Sequence, residues 1–116
     1  MAKKRGARLA PPPRSGEWKL ISVDQDAYEG WETLCIQAPG PTRDAYDLIA
    51  KTPRLRSGRQ EQLRGKELST KVIRGVVMEQ WQYEVTGGGR IWYCIDDERH
   101  ELVVIRASLK HPKETE

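Results

Sequence analysis

The stretch MEQWQYEVTGGGRIWYCID, residues Met78–Asp96, contains two runs of alternating residues on either side of three glycines. Apolar side chains in both runs recur at every second position, which is the period of a β-strand. These positions are Trp81, Tyr83, Val85, Ile91, Tyr93 and Ile95. The pattern predicts a β-hairpin with one apolar face. Arg90 opens the second strand on the less apolar face, where we expect the chemistry.

Two helices are predicted before this hairpin. Asp24 or Asp26 is a suitable N-cap for the first helix, whose apolar residues recur at helical spacing as far as Ala38. The segment 38–41 contains two prolines that end this helix and begin a second one. The second helix is expected to stop at Thr52–Pro53, since the residue before a proline disfavours helical geometry.

Two further strands complete the predicted sheet. Residues 18–23 alternate weakly and are interpreted as a first strand, whereas the nearly continuous apolar run 102–107 indicates a central strand. The predicted order is β-α-α-β-β-β, an α+β fold with an antiparallel sheet. A helical hairpin is expected to cover one face of the sheet. The opposite face is expected to be open and to carry Arg90.

Charge is distributed unevenly along the 116 residues. Residues 1–16 hold five basic residues and no acid, so the remaining residues 17–116 hold fifteen bases against seventeen acids. We interpret residues 1–16 as a disordered basic, proline-rich arm and residues 17–116 as one domain. Residues 51–76 contain eight bases and two acids, and within them Glu61 lies in a basic loop. Nearby cations favour the charged form of a carboxylate, which suits a base or a structural ion pair.

The cysteines and the hydropathy pattern indicate a cytoplasmic protein. Cys35 and Cys94 lie far apart within apolar runs, so we expect two buried free thiols in a reducing compartment. No apolar stretch approaches the roughly 20 residues that a membrane span requires. The basic N-terminus leads directly into prolines and lacks the apolar region of a signal peptide.

Glu61, Arg90 and His111 each lie at the end of a predicted strand or in the loop that leads to one, so a sheet can bring them together. A carboxylate, a guanidinium and an imidazole are the groups needed to cleave RNA by attack of its own 2′-hydroxyl. One group removes the hydroxyl proton, the arginine stabilises the phosphorane, and an acid protonates the leaving oxygen. This chemistry uses no metal and no cofactor, and it produces a 2′,3′-cyclic phosphate.

Three segments, together with the order of elements, resemble the RelE/ParE superfamily of bacterial toxins from type II toxin-antitoxin systems. They are QLRG at 62–65, GRIWYCID at 89–96 and LVVIRASLKH at 102–111, and the likeness covers roughly residues 17–113. The resemblance implies a RelE-like fold. It places the family's catalytic arginine on Arg90, and the glutamate and histidine of the YoeB-like branch on Glu61 and His111.

The resemblance also implies a set of residues that bind RNA. Arg64 and Lys66 match positions of backbone-binding bases, and Lys110 and Lys113 lie where the RelE branch has a basic cluster. Family members often have an aromatic residue after the last strand, but Pro112 follows the last histidine here. Base stacking is therefore expected from Trp92 or another exposed aromatic residue. The expected RNA-binding residues are Arg64, Lys66, Lys110, Lys113, Arg106 and Trp92.

For partners, the resemblance implies messenger RNA in the ribosomal A site and an antitoxin encoded beside the toxin. It implies neither a membrane nor a small-molecule cofactor. Two alternatives remain open from the sequence. One is a ParE-like toxin that inhibits DNA gyrase without RNA chemistry, and the other is an inactive nucleic-acid-binding module of the same fold.

Overall fold

A computed structural model describes residues 5–9 and 11–110 of the chain. The helices are α1 (Gln25–Gln37) and α2 (Pro39–Lys51). The strands are β1 (Lys19–Ser22), β2 (Gln60–Gln62), β3 (Thr70–Ile73), β4 (Val76–Glu84), β5 (Arg90–Asp96) and β6 (Glu101–Ser108). The protein has an α+β fold, as predicted, with two helices and a six-stranded mixed sheet among the described residues.

The predicted hairpin is confirmed. Strands β4 and β5 pair antiparallel, with Trp81 opposite Tyr93 and Tyr83 opposite Ile91. These four side chains are at most 6% exposed, and they belong to one core cluster together with residues of both helices. The alternation of the sequence therefore places the apolar face of the hairpin beneath the helices.

The order of strands in the sheet is β1-β6-β5-β4-β2, and β3 pairs with β4. Strand β6 lies inside the sheet, as the apolar run predicted. Strand β1 pairs with it in parallel, so the sheet is mixed and the prediction of an antiparallel sheet is wrong at this edge. The predicted count of four strands is wrong, because β2 and β3 form within the segment interpreted as a basic loop and its short continuation. Both strands pair with β4, and a turn with positive φ at Arg74 and Gly75 connects β3 to β4.

Both helices begin and end close to the residues that the sequence predicted. The carboxylate of Asp24 accepts a hydrogen bond from the backbone N–H of Ala27 at 2.9 Å, which caps α1. Helix α2 begins at Pro39, whose missing N–H has no cost in the first turn. Gly30 lies where α1 approaches β6, and a Cβ at this position would overlap the carbonyl oxygen of Ala107. This contact explains a glycine within a helix.

The sheet face opposite the helices is only partly open, which corrects the expectation. A second apolar cluster lies outside the main core and consists of Ile21, Ile73, Met78, Cys94 and Val103. Its members come from five strands, so β3 contributes to it through Ile73. Burial raises the pKa of the Cys94 thiol to about 12, and Cys35 is only half-buried, with a pKa raised by burial as well.

The N-terminal segment is ordered where the structure describes it, so the prediction of a disordered arm is wrong for these residues. Backbone N–H groups of Gly6 and Leu9 donate to the carbonyls of Ser22 and Leu20 at 2.7 and 2.9 Å, along the free edge of β1. The side chain of Leu9 is 1% exposed and belongs to the main core. Leu9 is the one large aliphatic residue of residues 5–9, and its burial attaches this segment to the main core.

Replacement of Leu9 by alanine is expected to lower the free energy of unfolding by about 2–4 kcal/mol, because it removes a fully buried side chain and leaves a cavity. Urea denaturation of the full chain measures this change. The matched control is Arg8→Ala, since Arg8 is exposed on the same segment. Equal stability of the two variants would contradict the docking of this segment.

Arg54, in the loop after α2, joins two carboxylates that lie far apart in the sequence. Its Nε lies 3.1 Å from an oxygen of Glu79, and its Nη2 lies 2.8 Å from an oxygen of Asp97. Hydrogen bonds from this guanidinium hold the pKa values of both carboxyl groups below their ordinary range. The first arginine of the predicted basic loop is therefore bound within the fold.

Replacement of Arg54 by glutamine is expected to destabilise the protein by up to about 1 kcal/mol at pH 7, since partly exposed ion pairs are screened by solvent. The lowered pKa values make this stabilisation complete above about pH 5, and it is lost as the pH falls through the folded-state values. The difference between wild type and variant should therefore shrink at pH 3. Urea denaturation at both pH values measures it, and an equal difference at pH 7 and pH 3 would contradict the prediction.

Candidate active site

Arg90 holds the turn of the β4–β5 hairpin. Its Nη1 lies 3.2, 3.3 and 3.0 Å from the carbonyl oxygens of Thr86, Gly87 and Gly89. The residue is 7% exposed. Part of the guanidinium therefore has a structural role, which the sequence analysis did not predict.

The other edge of the same guanidinium has no close acceptor. Nε of Arg90 is buried and finds no hydrogen-bond partner among the described residues. Its Nη2 lies 3.7 Å from an oxygen of Glu84, which is longer than a hydrogen bond. A buried charge is costly unless it is paired and hydrogen-bonded. The Nε–Nη2 edge thus has unused donor capacity of the kind that binds two oxygens of an anion, although Nε is shielded from solvent in this structure.

Arg90 lines a cleft of about 340 Å³ on the sheet face opposite the helices. Two other predicted residues, Glu61 and Arg64, line the same cleft and lie 3.8 Å apart. The remaining lining residues are Gln62, Leu63, Leu68, Gln82 and Glu84. The structure therefore brings together a carboxylate, an exposed arginine and a buried arginine that were predicted separately.

Strand β2 carries Glu61, and its neighbour Gln60 fixes that strand. The Gln60 side chain is fully buried, and its Nε2 donates to the carbonyl of Thr52 at 2.8 Å and to the hydroxyl of Tyr93 at 3.0 Å. The Tyr93 hydroxyl donates in turn to the carbonyl of Pro53 at 2.6 Å, and burial raises its pKa. These bonds connect the end of α2 to β2 and β5. Sequence reasoning missed Gln60, because nothing in the basic loop marks it as buried.

Trp92 does not have the exposure that base stacking requires, so the expectation of an exposed aromatic residue is wrong at this position. It is 4% exposed, and its indole N–H donates to Oε1 of Gln82 at 2.7 Å. The guanidinium carbon of Arg106 lies 5.0 Å from the centre of its ring. Trp92 and Arg106 line a neighbouring cleft of about 370 Å³, and Leu68 borders both clefts.

The other predicted RNA-binding residues lie away from the cleft or beyond the described chain. Lys66 and Lys110 are exposed, and neither lines the cleft that contains Arg90. His111 and Lys113 fall outside the described residues. The third group of the predicted reaction, the imidazole, therefore has no assigned position.

Two further arginines of the basic loop contact the sheet. Nη1 of Arg59 donates to the carbonyl of Glu84 at 3.0 Å, and the guanidinium of Arg56 lies over the ring of Trp81. Arg64 and Lys66, the last two bases of residues 54–66, are exposed. Within the described residues, the loose pair between Arg64 and Glu61 at 3.8 Å is the contact with the sheet that they make.

Within residues 5–9 and 11–110, no group of three or more His, Cys, Asp or Glu side chains is arranged to hold a metal ion. No helix in the described part of the chain is long and apolar enough to cross a membrane. We compared the chain with protein-family models, curated proteins and solved structures, and none of the three comparisons found a match.

Proposed function

We propose that the protein is a RelE-like endoribonuclease, the toxin of a type II toxin-antitoxin system, which cleaves messenger RNA by attack of the 2′-hydroxyl. The observation that carries this proposal is the buried guanidinium of Arg90. Its Nε has no hydrogen-bond acceptor, its Nη2 forms only a long ion pair with Glu84 at 3.7 Å, and it shares a cleft with the carboxylate of Glu61. A guanidinium of this kind suits the oxygens of a phosphodiester, and a carboxylate in the same cleft suits proton removal.

In the proposed reaction Glu61 accepts the proton of the 2′-hydroxyl, and the resulting oxygen attacks phosphorus. Arg90 stabilises the doubly charged phosphorane through its Nε–Nη2 edge. The bond from phosphorus to the 5′-oxygen then breaks, and an acid protonates the leaving oxygen. The family resemblance assigns this acid to His111. The products are a 2′,3′-cyclic phosphate and a 5′-hydroxyl, and no metal takes part in these steps.

The strand order supports the RelE-like part of the proposal in outline. A first strand, two helices and a three-stranded antiparallel meander occur in the expected order, with β2 and β3 inserted between α2 and the meander. By the same resemblance, the substrate is a message in the ribosomal A site and the protein acts in the cytoplasm. An antitoxin peptide would silence it by covering the sheet face that carries the cleft.

One observation favours a function without catalysis. Three carbonyls of the hairpin turn surround Nη1 of Arg90, and these contacts would stabilise the fold of a protein that performs no chemistry. A ParE-like inhibitor of DNA gyrase is the second candidate, and an inactive nucleic-acid-binding module is the third.

The test is induction of the wild-type and Arg90→Lys proteins in a bacterium that lacks the partner, with primer extension on several translated messages. New 5′ ends with wild type alone are the expected result. Growth arrest without new ends would point to gyrase, which a plasmid supercoiling assay then examines. Absence of growth arrest from a folded, expressed protein would favour the inactive module.

A further inference from the structure

Gln82 belongs to β4 and lines the cleft. In the register of the sheet it is opposite Glu61 of β2 on one side and opposite Trp92 of β5 on the other. It lines the cleft together with Arg90 and Glu84. A neutral amide thus lies between two carboxylates and beside the buried guanidinium.

Trp92 fixes the orientation of the Gln82 amide. The indole nitrogen is a donor only, so the group that it contacts at 2.7 Å must be the amide oxygen, Oε1. Because Trp92 is almost fully buried, rotation of the amide would leave the indole N–H without an acceptor. The amide nitrogen, with its two hydrogens, is therefore directed away from Trp92.

Other glutamines of this sheet use their amide nitrogens within the protein. Nε2 of Gln60, Gln62 and Gln80 donates to the backbone carbonyls of residues 52, 69 and 68, at 2.8, 3.0 and 2.7 Å. Nε2 of Gln82 has no protein acceptor among the described residues. It is an oriented donor without a protein acceptor, and it shares the cleft with Arg90, whose Nη2 forms only a long ion pair with Glu84 at 3.7 Å.

We propose that Gln82 is a substrate-binding residue that donates from Nε2 to an oxygen of the bound nucleotide, and that Trp92 is a positioning residue for it. The acceptor is either a phosphoryl oxygen beside Arg90 or a carbonyl of the adjacent base. The identity of the ligand as a nucleotide rests on the proposed function. The oriented amide supplies a neutral donor in the same cleft as the charged guanidinium, as sites that stabilise oxyanions do.

Gln82→Glu tests the donor with little change of shape. The glutamate still accepts the hydrogen bond from Trp92, but it replaces two donor hydrogens by a negative charge. The probes are inorganic phosphate and a short single-stranded 2′-O-methyl oligonucleotide, which cannot be cleaved by its own 2′-oxygen. NMR titration of the full chain measures both affinities. We expect affinity for the oligonucleotide to fall about tenfold or more.

Gln37→Glu is the matched control, since it makes the same change at an exposed position of α1 and should leave both affinities unchanged. Trp92→Phe keeps a ring but removes the N–H that orients the amide. It should weaken binding in the wild-type background and have no further effect in Gln82→Glu. A merely structural role of Trp92 would weaken binding equally in both backgrounds and would overturn the positioning role.

Each outcome bears on the proposal. Weaker binding of both probes to Gln82→Glu identifies the phosphoryl oxygen as the acceptor, and weaker binding of the oligonucleotide alone identifies the base. Wild-type affinity of Gln82→Glu for both probes, or no binding of either probe to the wild type, would overturn it. Binding that depends on Gln82 without any RNA cleavage by the wild type would refute the endoribonuclease and leave this site standing.

Discussion

Replacement of Arg90 by lysine is expected to lower the rate of RNA cleavage by about 100-fold or more. Lysine keeps the positive charge, but it presents one compact ammonium group instead of a planar fork. In the wild type, Nη1 of Arg90 lies 3.0–3.3 Å from the carbonyls of the turn. A single ammonium group cannot replace these contacts and also donate to phosphate. Loss of the second contact removes stabilisation from the transition state, where charge on the phosphoryl oxygens is greatest.

Cleavage is measured with purified variant and programmed ribosomes, and thermal unfolding reports whether the protein remains folded. Alanine at this position is a poorer test, since it would release all three carbonyls at once and lower stability as well. The matched control is Arg99→Lys, because Arg99 is exposed in the turn between β5 and β6 and should tolerate the change. Full activity of a folded Arg90→Lys protein would remove Arg90 from the reaction.

Replacement of Gly30 by alanine is expected to lower the free energy of unfolding by about 2 kcal/mol or more. In an exposed helix the same change usually stabilises by about 1 kcal/mol, so the expected sign is opposite to the helix propensity. The reason is steric, because the new Cβ would overlap the carbonyl oxygen of Ala107. That oxygen belongs to the backbone of β6, so relief requires α1 to move away from the sheet.

Gly40→Ala in α2 is the control, since a Cβ at Gly40 meets nothing within 4 Å. This variant should be as stable as wild type or slightly more stable, and both are compared by urea denaturation. A Gly30→Ala protein that is no less stable than wild type would show that α1 does not pack against β6 as closely as described.

Features that depend on near neighbours in the chain were predictable. The alternation around Trp81 and Ile91 gave the hairpin and its buried face, and Asp24 and Pro39 marked the beginnings of the two helices. Each of these predictions depends on residues within a few positions of one another, whose side-chain period or backbone geometry determines the secondary structure.

Features that depend on residues far away in the chain could not be predicted from the sequence. Strand β2 reads Gln60–Gln62, and such a polar triplet becomes a strand only because β4 offers its edge. Glu61, Arg64 and Arg90 were named from the residues and the resemblance, but the contact of Arg90 with its own turn was not foreseen. Trp92 was expected at the surface, since nothing in the sequence shows that Gln82 and Arg106 cover it.

The parallel pairing of β1 with β6 has a consequence for how the protein is made. Leu20 lies beside Leu102, so the first strand to leave the ribosome must wait for the last before the sheet can close. A nascent chain gains little from early contacts of this kind, because closing so long a loop costs entropy before it adds any stability. A chain released before β6 would leave β1 and β5 without the strand that pairs with both, so this topology confines the closed sheet to chains translated as far as Ser108.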